Sequence, residues 1–151
     1  MADICIDTQQ NQAWFIVRAG RSSDQAFILE HWYGSYGRER DHGPYYASEQ
    51  GTLIRSILDR ASTSVYVACD SRSPDAIHGF LVMGDGLIPR IYYVFVRPEA
   101  RRLGVARTLL AHWLPLPCVY THRPAPSLVR AGFRIPKTWS YNYFANFRGI
   151  A

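Results

Sequence analysis

The chain has 151 residues, 48% of them hydrophobic and 19% charged, with a formal net charge of +5; it is long enough to bury one core and too apolar to be disordered. One domain over residues 1–151 is expected. Three cysteines, Cys5, Cys69 and Cys118, are odd in number and lack metal-ligand spacing, which argues against a disulfide framework or a zinc site, and dispersed arginines argue against a nucleic-acid-binding arm.

In chain order, MADICIDTQQ carries acidic residues where a secretory signal would be basic, and no apolar stretch reaches membrane-spanning length, so a soluble cytoplasmic protein is expected. Trp14 to Arg18 reads as a first strand. Ser22 and Gln25 form a capping-box pattern opening a helix with Phe27, Ile28, Leu29, Trp32 and Tyr33, up to Gly34. The segment from Gly34 to Tyr46 reads as a loop. A second helix follows from about Ser48 to Ala61, with Leu53, Ile54, Ile57, Leu58 and Ala61 on one face. Ser64 to Cys69 and Ile77 to Met83 are strands, and Gly84-Asp85-Gly86 turns into a further strand, Leu87 to Val96.

That strand is apolar on both alternating sets, Ile91, Tyr93 and Phe95 against Tyr92, Val94 and Val96, so it needs cover on both sides and belongs in the middle of a sheet. Pro98 stops it. From Arg101 the period becomes helical, with Leu103, Ala106, Leu110 and Trp113 on one stripe. Gly104 in the first turn would weaken that helix by about 1 kcal/mol relative to Ala, which points to close approach of a ligand to the backbone. N–H groups at a helix start with arginines beside them suit an anion such as a pyrophosphate. Beyond Pro115 and Pro117, Cys118 to Thr121 reads as a strand, Ala125 to Ala131 as a short helix ending at Gly132-Phe133, and Trp139 to Phe147 as a last, aromatic strand.

The segment Val96-Arg97-Pro98-Glu99-Ala100-Arg101-Arg102-Leu103-Gly104-Val105-Ala106 resembles motif A of the GNAT superfamily of acyl-CoA-dependent N-acyltransferases, V-x-P-x-x-R followed by (Q/R)-x-x-G-x-(G/A). The element order and the Gly132-Phe133 pair resemble the same family over nearly the whole chain. The resemblance implies an α/β, single-domain fold: a mixed, mostly antiparallel sheet of six to seven strands, flanked by about four helices and splayed between strands four and five. It implies an N-acetyltransferase that moves an acetyl group from acetyl-CoA, as co-substrate, to a primary amine on a small molecule, a peptide N-terminus or a lysine. No metal is implied, and a monomer or homodimer is expected.

Residue by residue, the resemblance puts Val94 and Val96 at the thioester carbonyl and the pantetheine arm. The pyrophosphate falls on Arg101, Arg102, Leu103, Gly104, Val105 and Ala106, with Arg107 nearby. A backbone N–H near Val94 would stabilise the oxyanion. Many members carry a Tyr four residues before the Gly of the Gly-Phe pair as acid to the departing thiolate, and here that position is Leu128. Tyr120 and His122 are the nearest substitutes, with Ser127 behind them. For the base the candidates are Tyr92, Tyr93, His78, Glu30 and His31, or a water. Arg38, Glu39, Arg40, Asp41, Tyr45, Tyr46, Tyr141 and Tyr143 are candidates for the acceptor groove. Two further readings stay open: a catalytically silent module that binds CoA or a protein partner, and transfer of a longer acyl group.

Overall fold

A computed structural model describes residues 14–36, 44–122, 129–130, 132 and 134–146. Its strands are β1 (Phe15–Ala19), β2 (Thr63–Asp70), β3 (Ile77–Gly84), β4 (Arg90–Val96), β5 (Cys118–Tyr120) and β6 (Trp139–Tyr141). They form one six-stranded sheet in sequence order. The first four pair antiparallel, while β4–β5 and β5–β6 are parallel. Helices α1 (Gln25–Tyr36) and α2 (Pro44–Asp59) precede β2, and α3 (Val105–Leu110) follows β4. The sheet is open and mixed, as expected.

The two faces carry separate cores. On one, Ile28 and Trp32 of α1 and Leu53, Ile54 and Ile57 of α2 pack on Val67, Cys69, Phe80, Val82 and Tyr92. On the other, Val105, Leu109 and Leu110 of α3 cover Tyr66, Ala68, Leu81, Met83, Ile91 and Val96. Trp32 and Phe80 are fully buried, and truncating either to Ala would cost about 3–5 kcal/mol.

Several boundaries differ from expectation. The α1 entry is capped by Asp24 rather than by a Ser22–Gln25 box: its carboxylate accepts the Arg21 N–H at 2.7 Å and holds Arg18 through both oxygens at 2.7 and 2.8 Å. The Arg18 hydrogen bond outweighs burial and holds the Asp24 carboxyl below the usual carboxylate range. Helix α2 starts at Pro44, because proline presets helical φ and lacks only an N–H that the first turn does not use. Strand β4 starts at Arg90, and Leu87 stands fully exposed in the loop before it. The last strand stops at Tyr141, and a 3₁₀ turn covers Tyr143–Asn146.

Strand β4 also departs from simple alternation. Val82 pairs with Tyr93 but Met83 pairs with Ile91, so Tyr92 is an inserted residue. One extra residue reverses the faces on its N-terminal side. Ile91 therefore joins Val94 and Val96 on the α3 face, and Tyr92 joins Tyr93 and Phe95 beneath α1 and α2.

Candidate functional site

The chain leaves β4 through a turn that cannot be helical. Pro98–Ala100 form one 3₁₀ turn, Arg101 is extended (φ −70°, ψ 152°), and Arg102 and Gly104 both have positive φ, 65° and 87°. An arginine in the left-handed region costs of order 1–3 kcal/mol. Buried anchors hold it there, Ala100 on one side at 3% exposure and Val105 on the other at 1%. Helix α3 consequently begins at Val105, not Arg101. Its first bond is the Thr108 N–H to the Gly104 carbonyl, which leaves the N–H groups of Val105, Ala106 and Arg107 ahead of the ladder. Gly104 is thus the residue before the helix rather than a weak point within it, and left-handed geometry is what glycine supplies there. A Cβ on Gly104 would meet no atom of the described residues within 4 Å, so among them nothing fills the space in front of this backbone.

That space is a cavity of about 650 Å³. Val96, Ala100, Gly104, Val105 and Ala106 give it an apolar and backbone floor, and Arg101, Arg102, Arg107 and Arg130 give it a cationic wall, with Gly132 at the rim. Successive N–H groups in alternating right- and left-handed geometry form an anion-binding concavity. A six-residue helix adds little dipole, so the guanidinium groups carry most of the field. Arg101 also braces the turn, since its Nε donates to the Val96 carbonyl at 3.1 Å and so ties the loop to the end of β4. Of the residues that the motif points to, Val96, Arg101, Arg102, Gly104, Val105 and Ala106 line the cavity. Leu103 does not line it and is 56% exposed. Arg130 is a lining residue that motif reading passes over, since it lies outside the segment and follows no local period.

Beside the cavity the sheet opens. Strands β4 and β5 share only two register pairs, Arg90 with Val119 and Ile91 with Tyr120, and the Thr121 N–H reaches the Ile91 carbonyl at 3.1 Å. Further along, β3 is the only strand paired with β4 among the described residues. The Arg97 N–H donates to the His78 carbonyl at 2.8 Å, and N–H direction alternates along a strand. The amides of Val94 and Val96 therefore turn away from β3, into the opening.

The opposite face above this opening is aromatic. Tyr93 stacks on Trp32 with centroids 5.7 Å apart and lies 5.0 Å from the His122 ring. His122 Nε2 is 3.0 Å from the Ser35 hydroxyl of α1. Farther along β4, His31 stacks on Phe95 at 4.4 Å and meets the Phe27 ring at a tilt, 4.2 Å away, and the Arg97 guanidinium lies 4.8 Å from the Phe27 ring. Tyr120 belongs instead to the α3-face cluster and touches Tyr141 at 5.4 Å. His78 lies at the Asp70 carboxylate, 3.8 Å away, and against Trp14, while Glu30 is exposed. Leu128, Ser127, residues 38–41 and most of the expected helix from Ala125 to Ala131 lie outside the described residues, as do the side chains of Tyr45, Tyr46 and Tyr143. Among the described residues, no group of three or more His, Cys, Asp and Glu is placed to hold a metal ion, and no helix is long and apolar enough to cross a membrane.

No family model and no curated protein matches the chain. Solved structures do. A protein of Pyrococcus furiosus described as an acetyl transferase aligns with a TM-score of 0.59 at 21% identity, over 80% of this chain and 93% of its own. One from Clostridium difficile 630, described as an acetyltransferase, gives 0.54 at 16% identity over 79% and 86%. The GCN5-related glucosamine N-acetyltransferase region of a fungal multi-domain β-N-acetylglucosaminidase gives 0.50 at 18% identity, covering 85% of this chain and 14% of that much longer one. The chain has the fold of the GNAT acetyltransferases.

Proposed function

We propose that the protein is a soluble, cytoplasmic N-acetyltransferase that transfers an acetyl group from acetyl-CoA to a primary amine. The observation that carries this reading is the strained Arg102–Gly104 turn, whose open backbone faces a cavity walled by four arginines at the edge of an opened sheet. A pyrophosphate is the chemistry that such a turn suits. It would sit against the amides from Arg102 to Ala106, with Arg101, Arg102, Arg107 and Arg130 around it. The pantetheine arm would run along Val96 into the opening. There the Val94 amide would polarise the thioester carbonyl and stabilise the charge that develops on its oxygen. Tyr120, on the cavity's own face of the sheet, is the side chain assigned to protonate the departing thiolate.

In this reading the neutral amine adds to the thioester carbonyl, the N–C bond forms, the C–S bond breaks, and one amine proton leaves to a base. A thiol-release screen across small amines, peptides with free N-termini and lysine peptides tests it. Thiol release that depends on one amine class supports transfer and names the acceptor. CoA binding without release for any amine would support the silent module instead.

A further inference from the structure

We infer that His122 is the base that receives the acceptor amine's proton, through Nδ1, and that Ser35 is the positioning residue that keeps Nδ1 as its basic nitrogen. The inference rests on the acyltransferase reading above. It starts from a hydroxyl with one proton. Ser35 Oγ donates to the Trp32 carbonyl at 2.6 Å, so at its 3.0 Å contact with His122 Nε2 the oxygen must accept. Nε2 then carries the hydrogen in the neutral ring, and the site that gains and loses a proton is Nδ1.

Placement gives that nitrogen its role. The cationic cavity lies on the α3 face with Val96, Ala100 and Val105. His122 touches Tyr93 and Ser35, and Tyr93 packs into the core beneath α1 and α2, so the imidazole overlies the opening from the other side. A thioester entering from the cavity leaves that side for the nucleophile. A base belongs where the nucleophile arrives, and a thiolate acid where the thiol departs. The groups packed on the ring include the Tyr93 phenol from β4 and the Ser35 hydroxyl from α1, with His31 one turn earlier on α1, stacked on Phe95. The neutral amine gives its proton to Nδ1 as the N–C bond forms and the C–S bond breaks; the imidazolium returns that proton to solvent, while Tyr120 gives its phenolic proton to the thiolate and recovers one from solvent.

Two-bond ¹H–¹⁵N spectra of the labelled protein, with His122 assigned by its loss in His122→Gln, read the tautomer without any substrate. The wild type should show the Nε2–H form, Ser35→Ala a mixture of both, and Ser35→Thr the wild-type pattern again. A wild-type Nδ1–H tautomer overturns the positioning claim. With the amine found in the thiol-release screen, His122→Gln should lower kcat about 10²–10⁴-fold and remove the acidic limb of the pH profile, leaving the KM for acetyl-CoA unchanged. A retained limb in His122→Gln overturns the base role alone. No turnover in wild type, beside the expected tautomer, overturns the acyltransferase reading and the base role with it.

Discussion

The two faces of the sheet reach the opening between β4 and β5 by different means. On the α3 face the site is made of backbone: two left-handed residues, the amides ahead of a short helix, and a cationic wall. On the α1 and α2 face it is made of side chains stacked from three elements, Trp32 and Ser35, Tyr93, and His122. A backbone site sits within a few consecutive residues and tolerates variation in most side chains. A side-chain site has no such economy, because its members come from elements far apart in sequence. Changes on one face should therefore leave the chemistry of the other standing, and the following substitutions break or sharpen that division.

Gly104→Glu should have the largest effect. It forces a side chain into φ 87° and puts a negative charge in the space meant for phosphate. Acetyl-CoA affinity should fall on the order of 100-fold or more, by calorimetry, while the His122 tautomer stays as in wild type. Gly79→Ala comes next and is the one change that should disturb both faces. Its Cβ would stand 2.5 Å from the Phe95 carbonyl and 3.3 Å from Val105, so β3, β4 and α3 must move apart. A loss of about 1–3 kcal/mol should appear in urea unfolding.

Asp24→Asn should act on the α1 side only, through the Arg18 pair and the α1 entry. About 1–3 kcal/mol of stability should be lost at pH 7 with acetyl-CoA affinity unchanged. The pH dependence has a definite sign. Asp24 has a lowered value when folded, so its contribution is present above the unfolded value of about 3.9 and disappears as pH falls through the folded one. The gap between wild type and variant, measured by urea unfolding from pH 7 downward, should close in that range. Arg107→Ala is the mildest. Its side chain is exposed on the cavity wall, and such contacts are worth about 0.2–1 kcal/mol, so acetyl-CoA should bind only about two- to five-fold more weakly, with a shallower salt dependence.

The same division explains what can be read from sequence. The α3-face site is legible because its signal is local: a strand ended by Pro98, then Arg101, Gly104 and Ala106 at fixed spacing. Even so, the helical period runs back over the turn, because periodicity cannot show that Arg102 and Gly104 take positive φ. Leu103 rests on its place within the motif alone, and the structure leaves it outside the cavity. The opposite face is hidden for a different reason. Tyr92 is an inserted residue in β4, so strict alternation puts it on the wrong side of its neighbours. Ser35 and His122 lie 87 positions apart, and nothing in either neighbourhood announces the other. Element order and the central place of β4 are legible, because they follow from long apolar runs and from breakers such as Gly84 and Pro98.

Calorimetric titration of the wild-type protein with acetyl-CoA, run beside acetyl-pantetheine, is the most direct test of the cavity at the Arg102–Gly104 turn. Acetyl-CoA should fill one saturable site that salt weakens, and the thioester that lacks the pyrophosphate should bind at least about tenfold more weakly, since the arginine wall and the turn's amides would have no anion to hold. Equal affinity for the two, or no binding of acetyl-CoA at high micromolar concentration, would contradict this assignment.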